Sequence, residues 1–313
     1  MATLLDSIPW ARRLKIRHLE VFVMLHETRS LTDAAARLHM TQPALSHWLA
    51  DMESAVGRPL FVRDRRLTVT PDGEVLLRHA ERMLGDVQRT HLELQAVEQG
   101  MQGRLHVGTG LPRVLLPGAI SRLLGGRPDV FVTVTEAPQP QLLEMMCRCE
   151  LDVLFAAIGP DVRQMPFSVE PLLPSSIQIV ARRDHPLLQG KTCRLEDTLT
   201  WPWILPPTDS VMRGAFNEAY ARRGLRPPLA RVVGNTSVRM QLLACGRDYL
   251  SILTAMEVQL YAPDGFALPV PVDTAISFPH IGIVWSPDRT GPIVESFLEA
   301  ARDAARAALS TDS

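Results

Sequence analysis

The sequence has few cysteines, few aromatic residues and almost no net charge, and each scarcity excludes a class of protein. Four cysteines in 313 residues are too few for a disulfide scaffold. Aromatic residues make up 5% of the chain, while 46% is hydrophobic and 21% charged, which is ordinary for a folded globular protein. A net charge of −1 argues against wholesale coating of nucleic acid. The length suits two or three domains.

Long apolar runs and catalytic motifs are also missing. No stretch approaches the roughly 20 apolar residues that span a bilayer, and no secretory signal follows the basic residues near the N-terminus. We therefore expect a cytoplasmic protein that does not contact membranes. There is no GxSxG, HExxH, P-loop or paired CxxC motif, and the nine histidines are scattered. These absences argue against an enzyme, and we expect neither a cofactor nor a metal.

The cysteines leave one alternative open. Cys147 and Cys149 are closely spaced, but positions two apart on a helix point in different directions, so joint ligation of a metal is awkward. Cys193 and Cys245 are isolated in the sequence. We interpret all four as buried or incidental thiols, with a redox-sensing role as the alternative.

A helix-turn-helix pattern lies within residues 31–56. Leu45, Leu49, Met52 and Val56 recur at spacings of four, three and four, which predicts one buried stripe on the second helix. We expect that helix to be capped by Thr41 and the preceding alanine-rich helix to begin with a Thr32 cap. The polar stripe opposite predicts insertion into the DNA major groove. The predicted DNA-binding residues are Thr32, Thr41, Gln42, Pro43, Ala44, Ser46, His47, Arg63 and Arg65.

Positive charge is concentrated near the N-terminus. Residues 10–70 hold ten Lys and Arg against six Asp and Glu, a net charge of 10 − 6 = +4. Arg63, Arg65 and Arg66 precede a short extended segment, which predicts a two-stranded wing with its arginines near DNA phosphates. Residues 14–70 therefore form a predicted winged helix-turn-helix DNA-binding domain.

Residues 71–99 are predicted to form a long linker helix that dimerises. Pro71 to Glu98 is 28 residues, which would span about 42 Å as a helix. Apolar positions three and four residues apart indicate a coiled-coil seam, and a stripe this narrow needs a partner. We expect the partner to be the same helix of a second subunit. The seam positions are Leu77, Ala80, Leu84, Val87, His91 and Leu94.

The run from Arg17 to Leu84 resembles the N-terminal domain of LysR-type transcriptional regulators. The matching motifs are Ala34-Ala35-Ala36-Arg37-Leu38, Thr41-Gln42-Pro43-Ala44-Leu45-Ser46, Glu53, Gly57, Pro59-Leu60-Phe61 and Thr70-Pro71-Asp72-Gly73. The remainder resembles the family's effector-binding domain more loosely. One position departs: after the helix serine the family often has arginine, whereas this chain has His47. A neutral histidine offers one donor and one acceptor instead of a bidentate cation, so base preference there does not follow from the family.

From residue 103 onward, strands alternate with helices, which implies parallel pairing with crossovers and an open α/β sheet. We predict two lobes that form a clamshell like that of periplasmic binding proteins. Lobe I would comprise residues 103–173 and 268–309, and lobe II residues 174–267. The predicted fold is thus an all-α winged helix-turn-helix domain, a long helix and a two-lobed α/β effector domain.

Ligands of open α/β sheets bind at the carboxyl ends of strands, against helix N-termini. The partial positive charge of those termini favours a small carboxylate-bearing effector. Glu136 would instead suit a cation, and each Ser, Thr or Asn before a helix could be a plain cap. The predicted effector-binding residues are Thr109, Gly110, Leu111, Glu136, Ala157, Pro206, Thr208, Ser210, Asn235 and Thr236.

The resemblance implies a regulator that binds double-stranded DNA at an interrupted palindrome as a dimer of dimers. Its operator binding would change with a small organic acid effector, and RNA polymerase is a possible partner. A solute-binding protein is the alternative that explains the clamshell, but it leaves the first 100 residues without a purpose.

Overall fold

The computed structural model describes residues 10, 13–98, 100–110, 115–190, 192–246 and 248–310. These residues divide into two compact units. The first unit holds the described residues of 1–99 together with 144–150, and the second holds those of 100–143 and 151–313.

The first unit is built from four helices and a two-stranded wing. Leu45, Leu49 and Met52 are fully buried, which confirms the predicted stripe, whereas Val56 is half-buried. They pack against Phe22 and other apolar residues of the first helix. The elements are α1 (Ile16–Thr28), α2 (Leu31–Arg37), α3 (Gln42–Val56), β1 (Phe61–Arg63), β2 (Leu67–Val69) and α4 (Pro71–Glu98).

Helix α4 runs from Pro71 to Glu98 as predicted, and residue 99 lies outside the described residues. The apolar side chains of α4 differ in burial along the helix. Leu77 and Ala80 are buried in the core of the first unit, so they are not available to a second subunit. Further along, four apolar side chains are exposed, Met83 56%, Val87 46%, Leu94 60% and Val97 65%, whereas Leu84 and Leu92 are half-buried and Ala96 is buried.

The second unit contains nine strands in one sheet, in the order β4-β3-β5-β11-β6-β9-β7-β8, with β10 paired to β6. Strand β3 is parallel to β4 and β5, and β7 is parallel to β8 and β9, as the alternation of strands and helices predicts. The bounds are β3 (Gly103–Thr109), β4 (Val130–Glu136), β5 (Val153–Ala157), β6 (Ser168–Ala181), β7 (Trp203–Leu205), β8 (Ala230–Val233), β9 (Leu250–Thr254), β10 (Leu268–Pro269) and β11 (Ile276–Trp285).

Helices cover this sheet, and the last of them packs against α5. Short 3-10 helices occupy Pro186–Leu188, Leu195–Thr200, Ala262–Asp264 and Pro287–Arg289. The α-helices are α5 (Leu116–Gly126), α6 (Gln139–Cys147), α7 (Pro160–Arg163), α8 (Val211–Arg222), α9 (Thr236–Cys245), α10 (Ala255–Tyr261) and α11 (Pro292–Ser310). None of the described helices is long and apolar enough to cross a membrane.

Two long antiparallel strands, β6 and β11, connect the two lobes. Strand β5 pairs with one end of β11, and β9 pairs with the other end of β6. The predicted crossing at residues 171–174 lies within β6. Leu268–Pro269, the start of the second segment that we predict for lobe I, pairs with Val180–Ala181 of β6.

Candidate DNA interface and effector site

The N-terminal half of α3 forms the candidate DNA-reading surface. The Thr41 hydroxyl accepts a hydrogen bond from the Ala44 N–H at 3.4 Å, which makes Thr41 the N-cap as predicted. Pro43 lies in the first turn, where its missing N–H leaves no helical hydrogen bond unmade. The helix ends at Gly57, whose φ of 77° lies in the left-handed region that glycine adopts without strain.

The predicted contact residues of α3 lie in its first two turns or at its N-cap. Four of them are exposed to solvent and two are half-buried. The exposed residues are Thr41, Gln42, Pro43 and His47, and the half-buried ones are Ala44 and Ser46. This surface is polar and carries short side chains, so a DNA groove can approach the helix closely.

The predicted Thr32 cap is wrong. The cap lies two residues earlier than expected: helix α2 begins at Leu31, and the Ser30 hydroxyl accepts from the Asp33 N–H at 3.2 Å. Serine and threonine are both good N-caps, so the sequence offered two candidates two residues apart. Thr32 is exposed within the first turn of α2.

Hydrogen bonds to the Glu53 side chain hold the wing against α3. We did not predict a functional role for Glu53 from the sequence. Glu53 Oε1, on α3, accepts hydrogen bonds from the Leu60 N–H at 2.9 Å and the Phe61 N–H at 3.3 Å. Its other oxygen lies 3.5 Å from Arg63 Nη2. Arg63 and Arg65 are exposed on the wing, where a phosphate can reach them.

A histidine and a carboxylate are also neighbours on the exposed face of α3. His47 Nδ1 lies 3.0 Å from Asp51 Oδ2, one helical turn away. Beside them Trp48 is half-buried, and its ring centre lies 4.5 Å from that of His18 on α1. Burial lowers the pKa of His18, although the charge of Asp51 opposes this shift. Trp48 thus packs between helices rather than extending towards DNA.

In lobe I the predicted effector residues meet at the carboxyl ends of three parallel strands. Thr109, at the end of β3, is the register partner of Glu136, and its carbonyl accepts from the Ala137 N–H at 3.4 Å. Thr109 is buried, whereas Gly110 and Glu136 are exposed. Ala157 ends β5 and is buried. Leu111 lies outside the described residues.

Gln139 joins this group and was missed from the sequence. Its side-chain amide donates to the Ala157 carbonyl at 3.1 Å, and its Oε1 accepts from the Ala157 N–H at 2.8 Å. A Cβ at Gly110 would lie 3.3 Å from the Gln139 nitrogen, so the start of α6 closely approaches the end of β3. The sequence did contain a signal for it, because a glutamine at the start of a helix that follows a strand is a candidate for a buried polar side chain.

In lobe II two predicted loops begin side by side. Leu205 pairs with Val233, and the Gly234 N–H donates to the Leu205 carbonyl at 3.1 Å. Pro206 is buried directly after β7, and Thr208 is exposed in the loop that follows. The carboxyl ends of β7 and β8 therefore place these loops at one edge of the sheet.

Two polar residues of these loops, Ser210 and Asn235, are helix caps. Ser210 accepts from the Arg213 N–H at 3.2 Å and starts α8. Asn235 accepts from the Val238 N–H at 3.0 Å and starts α9. An effector could bind only to those donors and acceptors of Ser210 and Asn235 that are not used in capping.

Thr236 belongs to a buried charge network. Its hydroxyl accepts from Arg239 Nη2 at 3.1 Å and donates to Glu257 Oε1 at 3.3 Å. Arg239 and Glu257 are 1% and 0% exposed, and burial raises the pKa of Glu257. The other carboxylate oxygen accepts from the Thr254 N–H at 2.8 Å. Thr236 therefore holds two buried charges together, which leaves its hydroxyl occupied.

A cavity of about 750 Å³ lies elsewhere in the second unit, between α8 and the start of β11. Its lining includes Glu218, Arg222, Arg223 and Thr274, and none of the predicted effector residues.

Two of the four cysteines lie in surroundings that disfavour a reactive thiolate. Burial raises the pKa of both Cys147 and Cys193, which disfavours the reactive thiolate. Across the described ranges, no group of three or more His, Cys, Asp or Glu side chains is arranged to hold a metal ion.

Both units match known family models. The model described as "Bacterial regulatory helix-turn-helix protein, lysR family" matches residues 16–74. The model described as "LysR substrate binding domain" matches residues 98–306.

Two similar proteins are HTH-type transcriptional regulators. The chain is 30% identical to the HTH-type transcriptional regulator GbpR of Azospirillum brasilense, over 88% of this chain and 82% of that protein. It is 25% identical to the HTH-type transcriptional regulator PcaQ of Agrobacterium fabrum, over 94% and 96%.

Among solved structures, CbnR, a LysR family transcriptional regulator, shares the fold with a TM-score of 0.58 at 23% identity, covering 93% of this chain and 99% of that one. Full-length CbnR complexed with its target DNA gives a TM-score of 0.56 at 24% identity, covering 93% and 100%. The chain therefore belongs to the LysR family of bacterial transcriptional regulators, which are DNA-binding proteins with an effector-binding domain and not enzymes.

Proposed function

We propose that this regulator reads an interrupted palindrome with α3 and that a small carboxylate-bearing effector changes its affinity for that operator. The observation that carries the proposal is the polar, exposed face of α3, capped by Thr41 and flanked by the wing arginines. A helix with that face can contact base edges from its N-terminal turn. The protein would act in the cytoplasm, where the chromosome lies, with RNA polymerase as a possible partner.

Dimerisation would bring two such helices to one operator. The exposed apolar side chains of α4, from Met83 to Val97, support pairing of this helix with its copy in a second subunit. Two recognition helices in a dimer read half-sites about 34–36 Å apart. A dimer of dimers, formed through the effector domains, would double the number of half-sites bound.

The effector preference is argued from the strand ends. In lobe II, α8 and α9 begin at the carboxyl ends of β7 and β8, and free N–H groups at helix starts favour anions. The exposed Glu136 of lobe I is the observation that favours a ligand with an additional cationic group. Effector binding can shift operator affinity only by its differential affinity for the two states.

The operator is tested by mapping the genomic DNA fragments that the purified protein binds, beginning with its own upstream region. We expect a discrete interrupted inverted repeat. Ser46→Ala should then weaken binding to that repeat, whereas Ser54→Ala, the same change further along α3, should not. Equal affinity for all fragments would contradict specific reading by this helix.

The effector class is tested by operator binding in the presence of small carboxylates, each paired with its neutral amide. Carboxylates that change operator affinity while their amides do not would support the proposal. Equal responses to acid and amide would contradict it.

A further inference from the structure

The exposed face of the recognition helix carries a histidine whose ring lies next to a carboxylate. His47 Nδ1 and Asp51 Oδ2 are 3.0 Å apart, and the two side chains are 75% and 56% exposed. The pair occupies positions i and i+4 of α3, which are neighbours on one face of a helix. Both groups are therefore free of the core and open to a DNA groove.

This contact determines which ring nitrogen carries the hydrogen. At 3.0 Å the negative carboxylate oxygen attracts a hydrogen on the nearer ring nitrogen and repels a lone pair there. Asp51 therefore favours the tautomer with hydrogen on Nδ1. In the neutral ring, the remaining nitrogen, Nε2, is then a hydrogen-bond acceptor.

An acceptor selects among the base edges of the major groove. Adenine presents its N6 amino group and cytosine its N4 amino group, and both donate. Guanine offers the acceptors N7 and O6, and thymine offers O4, so neither can pair with an acceptor nitrogen. An arginine at the same place would behave in the opposite way, because it only donates and pairs with guanine.

We propose that His47, with its tautomer set by Asp51, selects adenine or cytosine on the DNA strand that it faces. The inference rests on the proposed reading of the operator by α3 and adds the base class read at one position. His47 is the specificity-determining residue, and Asp51 is a positioning residue that acts through it.

Asp51 has a second neighbour whose influence the test must separate. Its charge also acts on His18 of α1, whose Nδ1 accepts from the Lys15 N–H at 2.9 Å. If Asp51 served only to hold α1, its removal would lower the thermal stability of the protein and its affinity for every sequence alike. If Asp51 sets the tautomer, its removal changes the base preference at one position.

The test is selection from a randomised operator library by the full-length protein and four variants. The wild type should enrich adenine or cytosine over guanine by roughly five-fold at one position of each half-site, the effect of one hydrogen bond. His47→Arg should change that position to guanine. Asp51→Ala should reduce the discrimination to below about two-fold, because the ring is then free to donate from Nε2.

Two variants serve as controls. Asp51→Glu keeps a carboxylate at the same position and should retain the preference. Asp33→Ala removes one negative charge from the same domain without touching His47, and it should leave the preference unchanged.

The outcomes separate the two proposals. If the wild type enriches a palindrome but His47→Arg changes no position, or if Asp51→Ala keeps the full preference, the inference is overturned and operator reading by α3 stands. If the wild type enriches no sequence, both are overturned.

Discussion

Replacing Glu53 with alanine should detach the wing from the recognition helix. One carboxylate oxygen accepts two backbone N–H groups, from Leu60 and Phe61, and both residues are buried, at 0% and 4% exposure. The alanine variant leaves these N–H groups without that acceptor. Because buried donors without a partner are unfavourable, the strand β1 should separate more readily from α3.

The magnitude follows from the contacts. A hydrogen bond to a charged group contributes about 1.5–3 kcal/mol. The Glu53 side chain is 19% exposed, so water replaces part of what is lost. We expect the free energy of local opening to fall by about 2–4 kcal/mol. The 3.5 Å contact with Arg63 adds little, because that arginine is exposed.

Hydrogen exchange followed by mass spectrometry measures this change in the free energy of local opening. A loss of about 2 kcal/mol should speed exchange in the segment containing Leu60 and Phe61 by roughly thirty-fold. Operator affinity should fall as well, since the wing carries Arg63 and Arg65. Glu53→Gln keeps a carbonyl acceptor without the charge and should show a much smaller effect. Unchanged exchange in the alanine variant would refute the reasoning.

Four further predictions concern the helix, the lobes and pH. Leu94→Glu places a charge on the exposed apolar stripe of α4, so sedimentation should show dissociated subunits, while Gln95→Glu on the same helix should remain associated. Thr109→Val removes a buried hydroxyl at nearly constant shape and should abolish the effector response without changing operator affinity; loss of both would indicate misfolding. Gln139→Ala leaves the end of β5 without two hydrogen bonds and should lower the unfolding free energy by about 1–3 kcal/mol in thermal denaturation. Burial lowers the pKa of His185, so the unfolded chain binds its proton more readily; stability should therefore fall as pH drops below about 6.5, and His185→Gln should reduce that loss.

Local patterns in the sequence predicted the elements well. The spacing of Leu45, Leu49 and Met52 located the buried side of α3, and Pro71 marked the start of a helix that runs to Glu98. The alternation of strands and helices after residue 103 predicted the parallel pairing of β3 with β4 and β5 and of β7 with β8 and β9, but not the antiparallel pairing of β6 and β11. These features follow from the periods of helix and strand, which depend on backbone geometry over a few residues.

The candidate site was predicted in part for the same reason. The cap at Thr41 and the strand ends at Thr109 and Pro206 can be read from nearby residues. The cap of α2 was wrongly predicted at Thr32, because serine and threonine make the same hydrogen bond and only the path of the backbone identifies Ser30 as the cap.

What the sequence determined by itself, then, is the order and type of the elements, the polar face of α3 and the family to which those motifs point. The tertiary structure alone decided the partners of distant groups. It joined Glu53 to the backbone of Leu60 and Phe61, joined Gln139 to Ala157, buried Leu77 within the first unit and paired β10 with β6. The physical reason is that a periodic pattern fixes which side of an element is buried, whereas its partner is chosen by packing and hydrogen bonding between segments far apart in the chain.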